Sequence, residues 1–391
     1  MAEAPLGGLR VLDLTDEKAV FATRILADLG AEVIRVEPPE GGRLRRLAPF
    51  LGDIDDGEHG YLHLSHNANK ASVTLDLTRP EGRALFVRLA GTADVLVESG
   101  RPGWLDELGI GWADLHARYP RLIMVSVTPF GLDNPWRDRK ANDLVASAAG
   151  GLLWVCGSPE DPPTQAGGDQ AYKLAGLAAA TATMVALTGR QADGVGAHLD
   201  ISIQDCVAMS VVQTSNPGIY LARGRIPGRP GMTAVHRCQD GRWVTLNVAV
   251  PRYRVFLEWL AEAGVESDAR PADLGGPNGA VTLHGLGRRL AATMDRAEFL
   301  AGAWRRDIMS LPVNSLPDLA ECDHLQFNQA FIDVDDEVIG TTLGFPRSPV
   351  DALGGVGIAG APRLGEHNAA VYGALGCSAD ELAALSKSGV I

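Results

Sequence analysis

Short apolar runs alternate with segments of helical spacing through the first third of the chain. Leu9-Arg10-Val11-Leu12-Asp13-Leu14 predicts a strand. Apolar positions at helical spacing over 21–29, stopped by Gly30, predict a helix. Glu32-Val33-Ile34-Arg35-Val36, closed by Pro38-Pro39, predicts a second strand. That is one β-α-β unit, which favours a parallel sheet with a right-handed crossover. The rhythm repeats, with a strand over 72–77, a helix over 80–89 opened by Pro80, and a strand over 93–98. Short helices over 104–108 and 112–117 then precede a strand over 122–127. This alternation predicts an α/β fold with a doubly wound, Rossmann-like sheet in a large domain.

A small-residue helix over 143–151 leads into a Gly/Pro-rich loop over 157–168. A long Ala-rich helix follows, expected to stop at Gly189, then a strand over 199–203 and a helix to Val212. Its apolar stretch, 174–187, is shorter than the ~18 residues of a membrane span and reads as a buried helix, so no membrane partner is expected. After Pro217 the pattern changes to a basic loop over 223–231, an antiparallel-type strand over 242–250, and helical segments over 253–264 and 282–306. We therefore expect a large Rossmann-like domain over 1–224, a smaller α/β domain over 225–330, and a segment over 331–391. That last segment, ending in a helix over 379–386, is too short for its own core and is expected to return to the large domain.

Composition narrows the function. The 391 residues exceed one average core, which supports two domains. A formal net charge of −13 disfavours nucleic acid, whose backbone is gripped by clustered Lys and Arg. The N-terminus lacks a basic-then-apolar leader pattern, and the five cysteines are scattered without zinc-ligand spacing. A reducing cytoplasmic setting and no metal are the corresponding expectations. The first turn, Leu14-Thr15-Asp16-Glu17-Lys18, has no GxGxxG, which disfavours a dinucleotide-dependent dehydrogenase.

The most informative local pattern is Gly167-Gly168-Asp169, directly before the long helix. Two glycines permit a tight turn and close approach by a ligand. Asp169 then sits at the helix start, where free N–H groups and the helix dipole favour an ionised carboxylate. Such a group can attack an activated carbonyl such as a thioester; the same pattern also fits an ordinary capping aspartate.

Ordered matches run through the chain: Pro5-Leu6-Gly7-Gly8-Leu9-Arg10-Val11-Leu12-Asp13-Leu14-Thr15, then Ala27-Asp28-Leu29-Gly30-Ala31-Glu32-Val33-Ile34-Arg35-Val36-Glu37-Pro38. Asn69-Lys70-Ala71-Ser72-Val73-Thr74-Leu75-Asp76-Leu77, Arg101-Pro102-Gly103, Ser348-Pro349-Val350 and Ala361-Pro362-Arg363-Leu364-Gly365-Glu366-His367 continue the series. With these motifs the chain resembles the class III CoA-transferases, a family that includes formyl-CoA and carnitine CoA-transferases and α-methylacyl-CoA racemases. The resemblance implies an interlocked homodimer, coenzyme A as acyl-CoA substrate, and a small carboxylic acid as second substrate. It implies Asp169 as nucleophile, forming an aspartyl-CoA thioester, with Asp143 either orienting it or capping a helix. It places CoA near Glu17, Lys18, Arg43, Leu75, Thr78, Ser99, Gly100, Arg101 and Lys140, with Arg35, Arg45, Arg46 and Arg79 as further basic candidates. Gly228-Arg229-Pro230-Gly231 corresponds either to a closing lid or to a linker.

Two departures from the family pattern keep alternatives open. Racemases carry Gly-His-Asp where this chain has Ala141-Asn142-Asp143, and Asn142 cannot exchange a proton near neutral pH. Acyl-CoA racemization is thus the second reading. Asp16-Glu17-Lys18-Ala19-Val20 replaces a small Ala-Gly-Pro turn, Ser99-Gly100 replaces Asn-Phe, and Glu107 replaces a base. These changes remove positive charge where phosphates are expected, and they motivate a third reading, a non-catalytic partner subunit of a heteromeric transferase.

Overall fold

The computed structural model describes residues 4–157, 161–215, 234–276, 278–336, 339–347 and 357–391. The Gly228-Arg229-Pro230-Gly231 loop and Ser348-Pro349-Val350 lie outside them. The chain divides into two compact units, one of residues 1–156, 164–227 and 329–391, the other of 157–163 and 228–328.

The larger unit is built on six parallel strands: β1 (Arg10–Leu14), β2 (Glu32–Glu37), β3 (Lys70–Thr74), β4 (Val95–Glu98), β5 (Ile123–Thr128) and β6 (His198–Ser202). Their order, β3-β2-β1-β4-β5-β6, reverses direction between β1 and β4. Successive strand side chains point to opposite faces, and both faces are covered, so the strands read as continuous apolar runs. Val11, Val33, Val95, Val97, Ile123 and Val125 pack on one side, against α1 (Val20–Asp28), α6 (Asp143–Ala149), α8 (Gln170–Asp193) and α9 (Ile203–Ser215). Leu12, Ile34, Val36, Val73, Leu96 and Met124 pack on the other, against α3 (Pro80–Ala90), α4 (Trp104–Glu107) and α5 (Trp112–Arg118). The remaining helices of this stretch are α2 (Tyr61–Asn67) and α7 (Leu152–Val155).

The end of the chain adds to the larger unit. Asn368 Oδ1 accepts the Thr74 N–H at 2.8 Å, and the Tyr372 hydroxyl donates to the Thr74 carbonyl at 2.8 Å. Residues Phe331–Asp336 and Thr341–Pro346 form an antiparallel hairpin.

Two sequence expectations for the larger unit need correction. The long helix passes through Gly189 and ends at Gly194, whose φ of 76° is the left-handed C-terminal stop. Nor is α8 wholly buried. Ala171, Ala175, Ala179, Ala180 and Thr183 face the core, whereas Leu177 and Val185 are 50% and 68% exposed. By length and composition alone this helix could cross a membrane.

The smaller unit has a three-stranded antiparallel sheet of Val235–Arg237, Trp243–Thr245 and Pro312–Val313. Phe256, Trp259, Leu260, Leu290 and Phe299, from helices Tyr253–Glu262, Gly279–Ala291 and Arg296–Arg305, form its core. The strand expected over 242–250 is shorter than its alternation suggests, because Val250–Arg252 already turns into a 3-10 helix.

Candidate active site

Asp169 is the N-cap of α8 and has left-handed backbone angles, φ 49° and ψ 54°, following Gly168 at φ 82°. A usual N-cap is extended and folds its side chain back onto the first-turn amides. The left-handed backbone rules that out here, and Asp169 makes no side-chain cap bond and stands exposed. The amide it would have served is taken by another residue. Asp143 Oδ1 accepts the Tyr172 N–H at 3.1 Å, while its Oδ2 accepts from Gln165 Nε2 at 3.2 Å and from the Ser147 hydroxyl at 3.4 Å. Asp143 is 4% exposed. It therefore caps α8 from the side; the helix it opens, α6, is capped by Asn142, whose Oδ1 accepts the Val145 N–H at 3.0 Å. That bond occupies Asn142, the residue at the racemase histidine position.

A depression of about 20 Å³ beside Asp169 is bordered by Glu17, Phe21, His66, Tyr172 and Lys173. Burial and the carboxylates of Glu17, Asp16, Asp143 and Asp169 push the Tyr172 phenol up, so it stays protonated. Burial lowers Lys173 while Asp169 partly restores it. Lys173 Nζ contacts His66 Nε2 and lies 4.6 Å from the Phe21 ring centre. Burial, then Lys173, hold His66 neutral, at about 3. The first-turn amides of Gln170 and Ala171 have no carbonyl four residues back within α8, which makes the helix start a donor set for a developing oxyanion.

A larger cavity, about 630 Å³, opens along the carboxyl ends of β1 to β4. In open parallel sheets such a crevice, where strand order reverses, is the usual ligand position. Leu14, Val36, Leu75, Leu77 and Trp104 supply apolar walls. Of the residues expected around CoA, Arg43, Leu75, Thr78, Ser99, Gly100 and Arg101 line it. Glu17 does not; it pairs with Arg43 at 2.9 Å and faces the Asp169 depression, so it links the two spaces. Lys18 pairs with Asp16, itself on the cavity wall and hydrogen-bonded by Ser99 Oγ at 2.7 Å. Lys140 is exposed and borders neither space.

Arg45 and Arg35, basic candidates in the sequence, are both buried in ion pairs, and Arg35 also borders the cavity. Arg45 is 1% exposed and binds Glu37 (2.9 Å), Glu58 (2.8 Å) and the Pro362 carbonyl (3.1 Å). Arg35 is 2% exposed between Asp13 (3.3 Å) and Glu37 (3.4 Å), and Lys70 joins Asp13 at 2.8 Å. Burial alone would raise Glu37, but Arg35 and Arg45 hold it at about 2. Arg46 bonds the Glu40 carbonyl at 2.7 Å, and Arg79 bonds the Ser388 carbonyl.

Trp104 was not among the expected site residues. Its indole N–H donates to Glu98 Oε2 at 2.7 Å, and the Gly100 N–H donates to the same oxygen at 2.8 Å. The signal was an aromatic residue in the Arg-Pro-Gly-Trp turn after β4, next to a glycine.

The model for CoA-transferase family III matches residues 6–368 of the chain. The chain is 30% identical to the succinyl-CoA:(R)-benzylsuccinate CoA-transferase subunit BbsE of Thauera aromatica, over 98% of this chain and 97% of that protein. It is 32% identical to the succinyl-CoA–D-citramalate CoA-transferase of Chloroflexus aurantiacus, over 99% and 98%. Among solved structures, a CAIB/BAIF family protein from Brucella suis superposes with a TM-score of 0.82 at 28% identity, covering 95% of this chain and all of that one (100%).

Proposed function

The chain belongs to CoA-transferase family III, and from that membership we propose that it moves coenzyme A from an acyl-CoA donor to a carboxylic acid, with Asp169 as nucleophile. One observation carries the residue assignment. Asp169 stands exposed at a helix start and makes no side-chain cap bond, while Asp143 accepts the first-turn Tyr172 N–H in its place.

In the proposed cycle an Asp169 oxygen attacks the thioester carbonyl, the C–S bond breaks, and CoA leaves as thiolate. The acyl group is then joined to Asp169 as a mixed anhydride. The thiolate attacks the Asp169 carbonyl carbon, the first acid leaves as carboxylate, and an aspartyl-CoA thioester remains. The acceptor carboxylate repeats the two steps in reverse order, which regenerates the Asp169 carboxylate. Each tetrahedral species gathers charge on oxygen, where the Gln170 and Ala171 amides and the helix dipole favour it.

The Asp169→Asn variant keeps the size and left-handed tolerance of the residue but is a far poorer nucleophile. We expect transfer to fall on the order of 10³-fold or more, with the melting temperature unchanged. Near-normal turnover would remove Asp169 from the mechanism. Borohydride or hydroxylamine should trap the acyl enzyme at Asp169 when donor is present.

We further propose a Rossmann-like large domain and a dimer of interlocked chains acting in the cytoplasm. Apolar side chains exposed on α6 to α9, including Leu144, Trp154, Leu177, Val185 and Met209, support the association. A heteromeric assembly is the second reading, favoured by similarity to the alpha and beta subunits named for a succinyl-CoA–L-malate CoA-transferase of Chloroflexus aurantiacus. Transfer by the purified chain alone decides between them.

A further inference from the structure

We infer that the large cavity holds the donor by stacking its adenine on Trp104, with little contribution from the 3′-phosphate; this rests on the CoA-transfer reading above. Two independent observations lead there, one steric and one electrostatic.

The steric observation is how the indole is fixed. A Cβ built on residue 100 would lie 2.0 Å from Trp104 Nε1. The ring therefore occupies space that only a glycine leaves open. Its N–H is held by Glu98, 4% exposed, through the oxygen that also anchors the Gly100 amide. Trp104 is half-buried, packs in part against the apolar core, and is the only aromatic side chain on the cavity wall among the described residues. A planar ring stacks on such a side chain with little ordering entropy left to lose. Of the parts of CoA, only adenine is a planar aromatic ring.

The electrostatic observation is that the cations on the cavity wall are already matched. Three guanidiniums line it, and each has a carboxylate: Arg35 has Asp13 and Glu37, Arg43 has Glu17, and Arg101 has Glu107. The Arg101 fork meets both oxygens of Glu107, one of them at 2.6 Å. Asp16, Glu40 and Asp76 add further negative charge to the wall. A phosphate dianion arriving here must share a guanidinium with a carboxylate or displace it, and in either case remains beside that negative charge. The exchange of one anion for another on the same fork gains little.

Calorimetric titration of the purified chain with CoA, 3′-dephospho-CoA and pantetheine tests this. For wild type we expect dephospho-CoA to bind within about threefold of CoA, as befits an exposed, already satisfied pair. Pantetheine, which lacks the base, should bind at least about tenfold more weakly. Trp104→Ala should weaken both nucleotides about tenfold and leave pantetheine unchanged. Trp104→Phe, which keeps an aromatic ring and controls for loss of folding in the alanine variant, should stay close to wild type. Glu107→Gln should free Arg101 and improve CoA but not dephospho-CoA. The inference fails if wild type prefers CoA to dephospho-CoA by an order of magnitude, or if Trp104→Ala weakens pantetheine as much as CoA. Should none of the three ligands bind and no transfer occur, the CoA-transfer reading falls as well; transfer with the wrong binding order sinks the stacking inference alone.

Discussion

Asp143 and Asp169 stand at the starts of two helices, and their backbones decide what each carboxylate can reach. Left-handed angles carry Asp169 away from the first turn of α8, which leaves its side chain exposed. Asp143, at an ordinary helical position, reaches across to the Tyr172 amide. Removing that cap should cost about 1–2 kcal/mol, since a buried amide is left unpaired. Asp143→Ala should therefore show a reduced denaturation midpoint together with slower transfer, as the start of α8 frays. Asp143→Asn, whose amide oxygen can still accept the Tyr172 N–H, should recover most of both. Urea melts run beside a transfer assay make the comparison. A stable Asp143→Ala protein without activity would instead give Asp143 a part in the chemistry.

At the scale of elements, α8 is positioned by how closely it lies on α1. A Cβ on Gly176 would come within 3.0 Å of Phe21 Cβ and 3.2 Å of the Ala22 amide nitrogen. Backbone atoms cannot yield as a flexible side chain can, so Gly176→Val should destabilise by about 1–3 kcal/mol. Phe21 also borders the depression beside Asp169, so the same variant should lose activity before it unfolds. Thermal melts and residual activity at 25 °C would show the two effects separately, and an unaltered Gly176→Val protein would mean that the helices can move apart freely. The six parallel strands of the larger unit were legible from sequence to within three residues, because most of their side chains are buried and the apolar runs are continuous, whereas the strand read over 242–250 was overextended. The end of α8 was not legible, because Gly189 keeps a helical backbone in open space and the stop falls to the left-handed Gly194. The Gly-Gly-Asp start of α8 could be read directly. The division of labour between Asp169 and Asp143 could not, since it depends on a contact across 29 positions. Charged residues inside strands misled in a related way: Asp13 and Arg35 are register partners on β1 and β2, and only pairing explains their burial.

The buried charges of the larger unit set how the whole molecule should respond to acid. His63 is 1% exposed, and its Nε2 sits 3.1 Å from Arg45 Nη1. Burial first, and the Arg45 charge second, hold it neutral, at about 3; His66 is held equally low. Both groups take up a proton near pH 6.5 in the unfolded chain but not in the folded one. Between pH 6.5 and 4 the unfolded state then binds more protons, so stability must fall as pH falls. Well below pH 6.5 the slope approaches about 1.4 kcal/mol per pH unit for each histidine. Asp13 and Glu37 act lower on the scale. Burial opposes their charge, but Lys70, Arg35 and Arg45 keep both depressed, and the stability they confer is present above their unfolded values near 4 and lost below. The histidines are thus the first of these groups to weaken the unit on acidification. Urea titrations at pH 7, 6 and 5 should show a falling unfolding free energy, and His63→Gln should flatten that fall by about 1.4 kcal/mol per pH unit between pH 6 and 5. A variant whose pH dependence matched wild type would mean that the imidazole is protonated in the folded protein, and that a third positive charge stands beside Arg45 and Lys70.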